Sequence, residues 1–305
     1  MDRVKLADVA RAAGVHPGTA SRALNPESRE QVSRETVRRV VSTAKRLGYV
    51  PNAQARALRT SRSYLVAIVV PDITNPLFPP VVRGAEHVLT DAGYTVLLTD
   101  TDNDLARERR QVESLLARGA DGFIIATALW QDPLLDELAA AGVPIVLANR
   151  NTSSGPWAYV GGDERAGVAL AVEHLTELGH REIVHLAGPQ NFSTGRERAS
   201  AFRQVARGSG LTAKEARVRA CTSYSVSGGA DAMMRLLASG AEFSAIVAGN
   251  DLIALGALEA MDRAGLRCPE DVSVVGFNDM PFMDRLSPPL TTIRLPLEGM
   301  GALAA

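Results

Sequence analysis

LADVARAAGVHPGTASRALN, residues 6–25, reads as two short helices folded across a tight turn. Leu6, Val9, Ala10 and Ala13 recur at spacings of three, one and three, which lines them up as one apolar stripe on a helix. Gly14 follows the last periodic residue and suits the left-handed conformation that ends a helix, with Val15 tucked into the seam beneath it. Pro17 restarts the helix, because the first helical position has no partner for an N–H that proline lacks; His16 is then the residue before the start. Ala20, Ala23 and Leu24 face inward, leaving Gly18, Thr19, Ser21, Arg22 and Asn25 outside. Small and hydrogen-bonding side chains of this kind suit phosphates and base edges. A two-helix cap on a larger domain fits the same pattern.

Charge favours the first of these readings. Residues 1–62 hold 13 Lys and Arg against 5 Asp and Glu, a balance of +8, and the rest of the chain carries 20 against 29, a balance of −9. A basic module on an acidic body fits phosphate binding better than a solvated helix face does. At 305 residues and 46% apolar, the chain is long enough for two or three buried cores. Cys221 and Cys268 lack CxxC spacing, which argues against a disulfide framework or structural zinc; both are expected to be buried and inert. Met1 is followed by charged residues rather than an apolar segment, and no run approaches bilayer length, so a cytoplasmic chain is expected.

Beyond the pair, Asn25 to Gln31 reads as a polar loop and Ser33 as the cap of a third helix. Val37, Val40, Val41, Ala44 and Leu47 would form its apolar face and Gly48 its end. Tyr49-Val-Pro51 reads as an extended link, and Asn52 as the cap of a two-turn helix over residues 53–59. So short a helix needs a partner, and the reading is either a frayed connector or a hinge that folds when two copies meet on DNA.

From Tyr64 onward, β-branched runs alternate with amphipathic helices. The runs are Tyr64 to Val70, Tyr94 to Asp100, Asp121 to Thr127, Val143 to Ala148, Glu182 to Ala187, Ala216 to Cys221, Ser244 to Ala248 and Val272 to Phe277. Apolar strands with helical crossovers indicate parallel sheets covered on both faces. Eight units fit one barrel or two doubly wound lobes, and the irregular stretch Asn149 to Asp163 favours a crossing between two lobes. The body has no GxGxxG after a strand, no GxxxxGK[ST], no GxSxG and no HExxH, so an enzyme is unmotivated. His174 and His180 flank Leu178-Gly179 near a helix end and read as surface or capping residues.

The chain resembles the lactose-repressor (LacI/GalR) family of bacterial transcription regulators over essentially its whole length. The resemblance rests on DVARAAGV with TASRALN, on GYVPNAQARAL, and on GDERAGVALAVEHLTELGHREIVHLAGP. AIVAGNDLIALGALEAMDRAGL, PEDVSVVGFNDMPF and PPLTTIRLP complete it, in the family's order. It implies an α/β architecture: a helix-turn-helix domain over residues 1–51, a hinge over 52–62, and a two-lobed sensor over 63–305 resembling sugar-binding proteins. The sensor's first lobe would comprise about 63–161 plus 293–305, and its second about 162–292. A homodimer on a palindromic operator is implied, with a small sugar-like effector and no cofactor, metal or membrane. A solute receptor would share the sensor but has no use for a basic helix pair.

Carried over by position, Arg22 matches the base-reading residue and Thr19, Ser21 and Asn25 lie near phosphates. Leu6, Pro17, Gly18, Ser28, Tyr49, Asn52, Ala55 and Arg56 complete the implied DNA-binding set, and Leu58 matches the minor-groove wedge. In the sensor, Leu77, Phe78, Asn149, Arg198, Tyr224, Asn250, Asp251 and Asn278 match effector-pocket positions, with Asp279 beside them. From the residues alone, Arg196-Glu-Arg198 reads as a solvated helix start. Pro17 and Gly18 replace residues that often read bases, and Asn149 and Asn278 replace the Asp of many relatives, which removes charge from the pocket. The chain ends at Ala305, inside a predicted helix where the family pattern continues.

Overall fold

A computed structural model describes residues 4–25, 28–50 and 62–305. They divide into two compact units, one up to Ser63 and one from Tyr64. The predicted hinge residues Asn52, Ala55, Arg56 and Leu58 lie outside the described residues.

In the first unit, α1 (Leu6–Ala13) and α2 (Pro17–Leu24) form the expected pair, with α3 (Arg34–Leu47) against both. Gly14 adopts φ 64°, and Val15 donates its N–H to Ala10 O at 3.0 Å, which closes the end of α1. His16 precedes α2, and its Nδ1 accepts the Gly18 N–H at 3.1 Å. Val9, Ala10, Ala13, Ala20, Ala23, Val40 and Ala44 make the core. One expected core residue is displaced: Val41 is 39% exposed, and Thr43 is buried instead. The stripe through 40, 43, 44 and 47 follows the helical period and passes beside residue 41.

The second unit contains two five-stranded, wholly parallel sheets. β1 (Leu65–Val70), β2 (Thr95–Asp100), β3 (Gly122–Ile125), β4 (Ile145–Ala148) and β5 (Ala158–Val160) lie in the order 2-1-3-4-5. β6 (Ile183–Ala187), β7 (Ala216–Ala220), β8 (Ala245–Ala248), β9 (Ser273–Asn278) and β10 (Thr291–Arg294) lie in the order 10-9-8-6-7. The central strands β1, β6 and β8 are almost wholly buried because helices cover both faces. In the first sheet, Ile68 on β1 is opposite Leu98 on β2 and Ile124 on β3.

All eight expected strands are present, most of them shorter than the apolar runs. The sequence reading did not contain the edge strands β5 and β10. β5 occupies the stretch expected to be irregular, and β10 holds the chain in the second sheet through Arg294. The return to the first lobe therefore follows Arg294, slightly later than expected, and the helix Leu297–Ala304 packs on the helix Phe78–Asp91. His180 is half-buried and closes the helix end as expected, its N–H donating to Leu175 O at 3.0 Å, but its ring does more: the two nitrogens lie 2.8 and 3.0 Å from the hydroxyls of Ser244 and Ser273, at the starts of β8 and β9. Cys221 is buried as expected, but Cys268 is half-buried.

Candidate functional site

Parallel strands bring all their carboxyl ends to one edge of a sheet, so the loops that follow them converge. Here six such loops line one cleft with about 300 Å³ of free space out to its mouth. The loop after β1 contributes Asn75, Leu77 and Phe78, and β4 is followed by Asn149 and Arg150. β6 leads to Thr194 and Arg198, β7 to Tyr224, β8 to Asn250, and β9 ends at Asn278.

Local structure fixes these side chains. The Asn75 carboxamide accepts the Leu77 N–H at 3.1 Å and thereby positions the start of the helix Phe78–Asp91. Asn250 caps the helix Asp251–Arg263, accepting the Ile253 N–H at 2.9 Å. Asn149 and Asn278 have positive φ values of 63° and 114°, which turn the chain sharply at the ends of β4 and β9. Asparagine adopts positive φ more readily than most residues, so both positions serve the backbone as well as the cleft.

Arg198 is buried, as is its partner Glu164, the first residue of the helix Glu164–Glu177. Its Nε donates to the Glu164 carboxylate and its Nη1 to Gly249 O, while the guanidinium lies 3.7 Å above the Phe277 ring. Burial opposes the charge on Arg198, but the Glu164 carboxylate together with Tyr224 and Tyr159 outweighs it and holds the pKa above the usual arginine value. The solvated alternative for Arg198 is therefore excluded. Tyr224 donates its hydroxyl to Thr194 Oγ1 at 3.0 Å and stacks on Phe192, with ring centroids 6.3 Å apart; burial raises its pKa.

The lobes also touch beside the cleft. The Asn151 N–H donates to Ser193 Oγ and the Trp130 N–H to Asn191 O, each at 2.8 Å. Arg150 lies 3.7 Å over Phe192, so a cation from the first lobe rests on a ring from the second.

Seven of the eight expected pocket residues line this cleft, and Asp251 does not. Its carboxylate accepts the Met280 N–H at 2.7 Å and the Thr292 hydroxyl at 2.5 Å, which ties β9 to β10. Burial pushes its pKa up to about 6. Asp279 is likewise occupied, by Arg294 at 2.5 Å. The sequence reading missed Asn75, Arg150 and Thr194. Arg150 follows Asn149 at the end of a strand, where parallel sheets bind ligands, so its position after a strand was a signal that could have found it.

In the first unit, Pro17 and Arg22 are exposed on α2, with Gly18, Thr19, Ser21, Asn25 and Ser28 half-exposed along the same region. Arg22 Nε reaches back to Gly18 O at 3.3 Å, and the Ser28 hydroxyl donates to Arg22 O at 3.4 Å. Leu6 and Tyr49 are half-buried against the three-helix core.

A basic helix-turn-helix unit and a two-lobed sensor with a polar cleft define a ligand-responsive DNA-binding regulator. Residues 5–52 match the profile for bacterial regulatory proteins of the lacI family. Residues 63–305 match that for periplasmic binding proteins and the sugar binding domain of the LacI family. The chain belongs to the lacI family of bacterial regulatory proteins. It is 31% identical over 297 residues to the ribose operon repressor of Halalkalibacterium halodurans, covering 97% of this chain and 87% of that protein. It is 35% identical over 308 residues to the transcriptional regulator MalR of Streptomyces coelicolor, covering 98% and 88%. Among solved structures it is similar to the lac repressor dimer bound to operator and an anti-inducer, with TM-score 0.85 and 28% identity over 99% of this chain and 90% of that one. A complex of the regulator CelR with cellobiose gives TM-score 0.73 and 32% identity over 99% and 91%.

Proposed function

We propose that the chain is a repressor that binds a palindromic operator as a homodimer and that a small polyhydroxylated effector in the cleft sets its affinity for DNA. The observation that carries this reading is the convergence of four asparagines, two arginines, a threonine and a tyrosine on one cleft between two lobes. Amides and guanidinium groups offer fixed donors and acceptors to hydroxyls, and Phe78 and Tyr224 offer aromatic surface to a sugar's apolar face. An effector touching both lobes favours one lobe arrangement over another, which is the differential contact that coupling requires. Arg22 reads a base, with Thr19, Ser21, Asn25 and Ser28 near phosphates, and Leu58 is the minor-groove wedge. The protein acts in the cytoplasm and does so without catalysis. Among the described residues no helix is long and apolar enough to cross a membrane.

The test is operator affinity by gel shift with and without a panel of sugars. The expected coupling is about 1 to 3 kcal/mol, or roughly 5- to 150-fold in operator affinity. Arg198→Lys removes the fork of donors and is expected to abolish the response while leaving operator binding intact. A variant that responds as wild type does would remove Arg198 from the site.

A further inference from the structure

The cleft is lined by two cationic side chains and no carboxylate. Arg198 is matched by Glu164, but Arg150 has no such counter-ion. It is 5% exposed, and among the described residues it makes neither an ion pair nor a side-chain hydrogen bond. Its guanidinium rests on Phe192, and its Nε is a buried donor without an acceptor. After Tyr224, the carboxylate acting on it is Glu108, which is itself buried, receives the Thr127 hydroxyl, and has its pKa raised by burial. Desolvation lowers the Arg150 pKa to about 10. A buried guanidinium left this way is costly, and an anion brought into the cleft would relieve that cost.

Apart from Arg198, the rest of the lining is uncharged. Asn149 and Asn278 are amides, and Asn278 Oδ1 is a buried acceptor with no donor, suited to a hydroxyl. We infer that the effector is an anionic polyol, a hydroxylated carboxylate or a sugar phosphate, whose charged group is bound by Arg150 while its hydroxyls meet Asn149, Asn250 and Asn278. This rests on the effector reading above and narrows it to a chemical class.

Isothermal titration of the full chain with matched compounds tests the inference: ribose against ribose 5-phosphate, and glucose against gluconate and glucose 6-phosphate, with inorganic phosphate alone as a further arm. Charge-assisted hydrogen bonds lead us to expect at least one anionic compound to bind about tenfold or more tighter than its neutral counterpart. Arg150→Gln should bring the pair to within about threefold, mainly by weakening the anion. Gluconate and the phosphates distinguish a carboxylate from a phosphate. Neutral sugars binding as tightly as their anionic counterparts would overturn the inference and leave the effector reading intact. A preference for anions that survives in Arg150→Gln would overturn the assignment to Arg150. Inorganic phosphate binding as tightly as the sugar phosphates would overturn the role given to the asparagines. Binding by none of the panel would overturn the effector reading and this inference with it. The comparison on wild-type protein decides the ligand's charge even if the variant does not fold.

Discussion

Replacing Glu164 by glutamine removes one charge and almost no volume from beneath the effector cleft, and so isolates what the buried ion pair contributes. The side chains of Arg198 and Glu164 are 3% and 4% exposed. Neither charge has water to fall back on once its partner is gone. Breaking a buried pair by removing one member costs about 3 to 5 kcal/mol, because the remaining charge is left uncompensated. The glutamine can still accept from Arg198 Nε, so the lower end of that range is expected, and the Arg198 pKa should fall because the largest influence opposing burial is then gone. In a domain of 150 to 250 residues, 1 kcal/mol moves the melting temperature by about 2 to 4 °C, so about 3 kcal/mol corresponds to roughly 6 to 12 °C. Differential scanning fluorimetry of the purified protein at neutral pH reads this directly. The exposed pair Arg109–Glu137 is an internal control. Its oxygen lies 2.6 Å from the guanidinium, yet both side chains are more than 40% exposed, so Glu137→Gln should leave melting unchanged. The double variant Glu164→Leu with Arg198→Met should recover much of the loss, since an apolar pair of similar volume removes both desolvation costs. If Glu164→Gln melted within about 2 °C of wild type, or no lower than Glu137→Gln, the argument from burial would be refuted.

Two buried groups should give pH dependences of opposite sign. His185 accepts burial neutral, with a pKa lowered to about 4, so the folded state binds fewer protons than the unfolded chain and stability is lost as pH falls from about 6.5 to 4, by about 3 kcal/mol. Asp251, with its pKa raised to about 6, contributes stability that is lost as pH rises from about 4 to 6, by a similar amount. Urea unfolding across pH 4 to 6.5 should therefore show stability falling with pH in His185→Phe and rising with pH in Asp251→Asn, relative to a flatter wild type; unchanged slopes would contradict both pKa assignments. A Cβ on Gly301 would lie 1.9 Å from Val81 O, whereas one on Gly299 meets only Pro296 Cβ at 4.0 Å. Thermal melts should show Gly301→Ala losing about 1 to 3 kcal/mol while Gly299→Ala gains up to about 1 kcal/mol from helix propensity. Arg22→Ala should cost about 1 to 3 kcal/mol per half-site and relax preference at one base pair in selection from random DNA. Operator affinity should fall steeply with salt, by roughly 0.9 log units per log unit for each phosphate contact.

The fold was legible wherever burial and period coincide. The first unit follows from its apolar stripes, its glycine turn and a proline start, and the single misplaced residue, Val41, lies at the margin of a stripe whose true centre passes through Thr43. A polar residue buried at helical spacing leaves no signal in an apolar pattern. The six inner strands are largely apolar because both of their faces are covered, and the edge strands β2 and β7 still carry enough apolar residues, Val96, Leu97 and Leu98 in one and Ala216, Val218 and Ala220 in the other, to be read. β5 and β10 escaped for the converse reason. Ala-Tyr-Val and Thr-Thr-Ile-Arg are half-exposed edge strands, and an edge strand needs neither a long apolar run nor a clean alternation.

The cleft divides along a different line. Positions after strands were readable because parallel topology sends them to one edge, which is why Asn149, Tyr224, Asn250 and Asn278 fall together. Asp251 shares that address and yet faces away: the first residue of a helix points according to the cap, and here Met280 and Thr292 claim both carboxylate oxygens. Sequence position gives the loop but not the direction of the side chain. Arg150 shows the same limit from the other side. Adjacent residues at a strand end ordinarily face opposite ways, but the left-handed turn at Asn149 re-aims the chain, and both side chains enter the cleft. The positive φ that makes asparagine suitable at 149 therefore also accompanies the entry of a buried, uncompensated cation into the cleft. A substitution there that disfavours the left-handed region should weaken anion binding through Arg150 without touching the guanidinium itself.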